Sequence, residues 1–162
     1  MRAMRSLPSL GPRGEGWVAI QVVLLGLVAA AGWFLGPDWD GPLRYGSIVA
    51  GFMGIAGGIL LAARGVLDLG RALTPVPHPR DDAELVESGV YALARHPIYG
   101  GLILGSLGWS LLQASLVALV GTALLAGFFV LKSTREEAWL VERFPAYRAY
   151  RTRTRRFIPW IG

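Results

Sequence analysis

Charge is missing from three long stretches of this chain, and apolar residues fill them in blocks rather than scattering as they do in a globular core. Trp17 to Leu35 runs for 19 residues with Gln21 as its one strongly polar member. Tyr45 to Ala63 is a second uncharged stretch of 19 residues, preceded by Pro42 and ended by Arg64. Each is close to the ~20 residues a helix needs to cross a hydrocarbon layer. The third, Ile98 to Leu131, holds no charge over 34 residues. As one helix it would reach ~51 Å, far beyond a core of ~30 Å. It therefore folds back at Gln113-Ala114-Ser115, where Ser115 can cap the returning helix. The pattern predicts an all-α integral membrane domain spanning residues 1–162. Its four transmembrane helices are 17–35, 45–63, 98–112 and 116–131, the last two a tight hairpin. A cytoplasmic helix continues at the C-terminus.

Composition agrees with this. Apolar residues make up 53% of the chain and charged residues 17%, against roughly 25% charged in a soluble domain. Cysteine is absent, which excludes disulfides, zinc–thiolate sites and a thiol nucleophile. His78 and His96 are too few for a histidine metal cage, so no metal is expected. The net charge of +5 would suit nucleic acid in a soluble chain. In one this apolar it suits anionic lipid and membrane orientation, and no nucleic-acid partner is expected.

Of the 16 Lys and Arg, only Arg44 falls in a connection assigned to the outside, which leaves 15 on the other side. The positive-inside rule then puts both termini in the cytoplasm. Arg2, Arg5 and Arg13 precede the first span as in a signal peptide. Its length, and the poor cleavage site at Gly36-Pro37-Asp38-Trp39-Asp40, favour a retained helix. Span two carries Gly54 and Gly58, a small-xxx-small pair that suits close helix contact and a homo-oligomer. The Ala/Gly/Arg-rich composition points to a GC-rich bacterium and an inner-membrane location.

Chemistry is expected in two cytoplasmic segments, 64–97 and 132–162. In the first, Pro75, Pro77 and Pro79 precede an acidic patch, and Arg95-His96-Pro97-Ile98-Tyr99-Gly100-Gly101 stands at the mouth of span three. Pro97 suits the first helical turn. The free N–H groups there, with His96 and Tyr99, can hold a carboxylate, while the glycines leave room for a flat ligand. The competing reading is an interfacial anchor. In the second segment, Arg135-Glu136-Glu137 could bind an ammonium or a ribose diol, or could be a solvated helix face. A hairpin makes these clusters neighbours, and donors facing carboxylates suit an amino-acid zwitterion. Trp139 and Phe144 fit apolar walls or core.

Leu85-Val86-Glu87-Ser88-Gly89-Val90-Tyr91, followed by Arg95-His96-Pro97-Ile98-Tyr99-Gly100, resembles the signature of the isoprenylcysteine carboxyl methyltransferase and phospholipid methyltransferase superfamily. Glu136-Glu137-x-x-Leu140, then Phe144, Tyr147 and Tyr150, then Arg-rich sequence to Ile158-Pro159, is similar to that family's C-terminal pattern. One departure is Phe144-Pro145-Ala146-Tyr147, which is one residue shorter than usual.

The resemblance implies S-adenosylmethionine as cofactor. His96, Pro97, Tyr99 and Gly100 would hold its methionine end, and Glu136 or Glu137 its amino or ribose groups. Backbone around Val86, Gly89 and Tyr91 would border the adenosine. Arg135 and Glu136 would serve catalysis, with Arg135 beside the methyl acceptor. The acceptor would be lipophilic: an isoprenylcysteine carboxylate, a phospholipid amine or another small lipophile entering from the membrane. A carboxylate or thiolate needs no general base, whereas an amine would need His96 or a glutamate. Two other readings are an NADPH-dependent membrane reductase and a non-enzymatic helix-packing protein that uses Gly54 and Gly58 as its contact face.

Overall fold

A computed structural model describes residues 7–74, 76 and 84–159. Pro75, Pro77, His78 and Pro79 fall outside them. The helices are α1 (Glu15–Phe34), α2 (Gly41–Leu69), α3 (Pro97–Leu112), α4 (Leu116–Arg143) and α5 (Tyr147–Arg153), with 3-10 turns at Gly70–Ala72 and Gly89–Ala92. No strand occurs among the described residues beyond an isolated parallel bridge between Ala94 and Arg155.

Three helices are long and apolar enough to cross a membrane: Glu15–Phe34, Gly41–Ala72 and Leu116–Arg143. The 16-residue α3 is equally apolar but reaches only ~24 Å. The 28 residues of α4 span ~42 Å, so its charged last turns project past a ~30 Å core. The uncharged stretch 98–131 does fold back at 113–115, and Ser115 caps α4 by accepting from the Ala118 N–H at 3.2 Å. Arg64 does not end α2, which runs on to Leu69. Its side chain is exposed, so the helix carries the charge outward without interruption. Gly70, at φ +51°, then stops the helix, as a residue free of the Cβ penalty can.

The glycines of α2 are used inside the chain. A Cβ at Gly58 would stand 2.6 Å from the Gly101 carbonyl, and one at Gly51 2.8 Å from the Gly108 carbonyl. Backbone touches backbone along the α2–α3 seam, the close approach that small residues permit. The small-residue face expected to meet a second copy is thus filled by α3. α1 packs on α4, with Val28 against Gly121 and Trp17 beside Phe128.

Candidate active site

Two helix ends and a returning tail build the site. Pro97 starts α3, so His96 and Tyr99 flank its first turn. On α4, Lys132, Glu136 and Leu140 recur every fourth residue and share one face. After α4 the chain turns at Phe144, where the Tyr147 N–H donates to the Phe144 carbonyl at 2.9 Å. The shortened Phe144–Tyr147 connection still docks the tail, because Tyr147 and Tyr150 are each 2% exposed. The tail then runs beside the entry to α3. The Arg95 and His96 N–H groups donate to the carbonyls of Arg155 and Arg156 at 2.9 and 2.8 Å.

The two adjacent carboxylates have separate tasks. Glu137 is buried and compensated on several sides. Arg95 Nε donates to its Oε1 at 2.9 Å, His96 Nε2 lies 3.3 Å from the same oxygen, and Arg151 Nη1 is 3.6 Å from Oε2. A carboxylate only accepts, so the His96 proton sits on Nε2. Arg95 Nη1 also donates to the carbonyls of Arg151 and Thr154, which fixes the tail to this pair. Glu136 is more open: Tyr99 OH donates to its Oε2 at 2.9 Å, and His96 Nδ1 is 3.7 Å away. The His96 and Tyr99 rings stack at 5.4 Å, and Tyr99 stacks on Phe129 at 4.8 Å.

Glu136, His96 and Tyr99 face a cavity of about 300 Å³ whose wall also includes Val86, Tyr91, Arg95, Leu140, Phe144 and Tyr147. Gly89 shapes that wall from behind. At φ +60° it brings the chain against Asp68, whose Oδ2 accepts from the Val90 N–H at 2.7 Å. Tyr91 OH donates to the Gly65 carbonyl at 3.2 Å, and Tyr150 OH to the Tyr91 carbonyl at 2.6 Å. Burial, followed by the charge of Glu136, pushes the Tyr91 phenol far up. Burial raises Tyr150 to about 12, so both remain hydrogen-bond donors. Tyr147 is raised by burial and then by Glu137 and Glu136. Its hydroxyl is buried and has no hydrogen-bond partner among the described residues.

Val86, Tyr91, His96, Tyr99 and Glu136 therefore line one space. Gly89, Pro97, Gly100 and Glu137 support it from outside the lining. Pro97 is buried, and Gly100 gives way to the Phe157 carbonyl. Arg135 lies elsewhere. One residue from Glu136 on a helix is a turn of ~100°, which carries Arg135 off the cavity face and onto the Trp139 ring at 4.3 Å. Trp139 goes with it, while Phe144 does form a wall.

The sequence reading missed Gln21 and the role of Lys132. Lys132 is 3% exposed, lies 4.9 Å over the Tyr99 ring and donates to Gln21 Oε1. Both residues line the cavity. One signal was available for Lys132, its i, i+4 spacing to Glu136; Gln21 was marked only as the one strongly polar residue of 17–35.

A family model for phospholipid methyltransferase matches residues 47–147. The chain is 39% identical over 82 residues to a protein-S-isoprenylcysteine O-methyltransferase of Schizosaccharomyces pombe, covering 49% of this chain and 35% of that one. It is 38% identical over 87 residues to the cobalt-zinc-cadmium resistance protein CzcN of Cupriavidus metallidurans, covering 51% of this chain and 39% of that one. The chain thus spans little more than a third of the length of these relatives. No group of three or more His, Cys, Asp or Glu suited to a metal ion occurs among the described residues.

Proposed function

Because this chain belongs to the phospholipid methyltransferase family, we propose that it is an integral-membrane methyltransferase that uses S-adenosylmethionine to methylate a lipophilic acceptor. One observation carries the reading. Glu136, with Tyr99 and His96 beside it, opens on a cavity that has apolar walls at Val86, Leu140 and Phe144 and polar groups at Arg95, Lys132 and Gln21, and that lies where the helices leave the uncharged stretch.

The donor set suits the cofactor. Glu136 keeps acceptor capacity for an ammonium, and the N–H groups at the start of α3 offer donors to a carboxylate. Val86, Leu140 and Phe144 give a flat base apolar cover. The unpartnered Tyr147 hydroxyl is a donor still available beside these groups. When bound, the cofactor supplies an electrophilic methyl on a sulfonium. The chain's residues then need to orient rather than to activate. Holding the acceptor atom in line at ~3–3.5 Å supplies most of the rate. Lys132 and Gln21, at the α1 side of the cavity, give the acceptor's polar head a cation and an amide to rest on. An acceptor that arrives already deprotonated asks for no general base, and His96 is then free to hold Glu137 in place through Nε2. Arg135 acts here through Trp139 rather than by touching the acceptor.

In this reading α3 is the fourth span, its short length matched by the glycine seam with α2. Both termini lie in the cytoplasm, by the charge bias. The helix-packing alternative loses its contact face, since Gly54 and Gly58 are covered by α3. The test is calorimetry of S-adenosylmethionine and its demethylated product against detergent-solubilised protein, with transfer of labelled methyl to membrane lipid extracts. Micromolar binding, roughly −8 kcal/mol, with a labelled lipophilic product is expected. A folded sample that binds neither compound overturns the reading. A reporter fused after Gly162 that is active only outside the cytoplasm overturns the topology.

A further inference from the structure

We infer that the outer face of the returning tail, α5 and residues 154–156, is a docking surface for anionic phospholipid headgroups. In Tyr147–Arg153 the two tyrosines turn inward, which leaves Arg148, Arg151 and Arg153 facing out, and Arg155 is exposed just beyond. Arg153 binds Glu87 at 2.7 Å and Arg151 reaches Glu137 at 3.6 Å. Arg148 and Arg155 form no ion pair among the described residues. Two exposed guanidinium groups without a carboxylate partner on one short segment are open to an anion, and the guanidinium fork matches phosphate oxygens.

Depth identifies the anion. Arg155 N–H donates to the Leu93 carbonyl at 3.0 Å, and its own carbonyl accepts from Arg95 at 2.9 Å. The uncharged stretch begins at Ile98, so this backbone pairing fixes Arg155 at the headgroup layer beside it. Lipid phosphates already occupy that layer, and a basic surface there attracts acidic lipid. The same tail gives the Arg151 and Thr154 carbonyls to Arg95, which holds Glu137. A lipid that seats the tail therefore steadies the wall bearing His96. This last coupling rests on the methyltransferase reading, whereas the docking surface does not.

The test uses the full chain and the R148Q/R155Q variant, whose exposed changes leave the tyrosine packing alone. Native mass spectrometry after incubation with equal phosphatidylglycerol and phosphatidylcholine should show phosphatidylglycerol retained preferentially. The variant should lose about fivefold of that preference per guanidinium removed. Equal retention of the two lipids by the unaltered chain, or an undiminished preference in the variant, overturns the docking surface. S-adenosylhomocysteine affinity is then measured in phosphatidylcholine vesicles with and without phosphatidylglycerol. This compound carries no net charge, so surface potential does not concentrate it. Several-fold tighter binding with phosphatidylglycerol, absent in the variant, supports the coupling. Equal affinity in both vesicles overturns the coupling and leaves the docking surface standing. Binding in neither vesicle overturns the methyltransferase reading, with lipid retention still deciding the surface.

Discussion

At the end of the bundle where α3 turns into α4, polar side chains bond to backbone. At the opposite end, charged side chains also bond to one another. Arg44 Nη1 donates to the Leu112 carbonyl at 2.6 Å and so satisfies the C-terminal end of α3. Asp38 Oδ2 accepts the Leu116 N–H at 2.6 Å, at the start of α4. Ser115 Oγ reaches the Leu35 carbonyl at 2.9 Å, and Gln113 the Gly32 carbonyl at 3.2 Å. These are the groups that helix termini leave without partners, and α1, α2 and their connection supply what is missing. The Arg95–His96–Glu136–Glu137 cluster instead sets charge against charge beside a cavity. A membrane protein needs the first arrangement to close a hairpin. The second leaves capacity for a ligand.

The sharpest way to break this contrast is Glu137→Ala. It leaves Arg95 and His96 facing each other without their anion. Loss of one partner from a buried pair costs about 3–5 kcal/mol. Thermal unfolding in detergent should show a large fall in Tm, and an unchanged Tm would mean that Glu137 is a ligand group after all. Glu136→Gln should do the reverse. Its carboxylate is 23% exposed, so Tm should hold. Affinity for S-adenosylmethionine should drop by roughly 1.5–3 kcal/mol, or about tenfold to a hundredfold, as read by calorimetry.

Ser115→Ala tests the other end. Loss of the cap should lower stability by about 1 kcal/mol and leave cofactor affinity at the wild-type value. A loss of affinity would show that the two ends are coupled. The smallest effect is expected from Arg135→Ala. It removes a part-buried cation–π contact with Trp139 worth about 1 kcal/mol, with turnover and cofactor affinity nearly unchanged. A large loss of turnover would put Arg135 back against the acceptor.

Much of the end where α3 turns into α4 was legible in the sequence, because its logic is local. The length of the uncharged stretch 98–131 demands a hairpin, and Ser115 stands where a cap must. The site was legible only in part. Its motifs mark where α3 and α4 meet, but adjacency in sequence hides the division of work between Glu136 and Glu137. Those two side chains point ~100° apart on a helix, so one enters the cavity and the other the charged cluster. The same geometry misled the placing of Arg135. Gln21 could not be tied to the site from sequence, since its partner Lys132 is 111 residues away. The bridge between Ala94 and Arg155 was equally hidden. It is a single backbone pairing with no strand pattern to announce it.

That bridge makes a closed circuit of the chain. From Ala94 the backbone runs through α3, α4 and α5 and returns to its own starting point at Arg155. Nearly every charged group of the site lies on this circuit, while Gln21 lies off it. The arrangement separates the cavity wall from the helices that precede it. The backbone ring that holds His96, Glu136 and Glu137 closes without α1, which meets it through the Gln21–Lys132 contact.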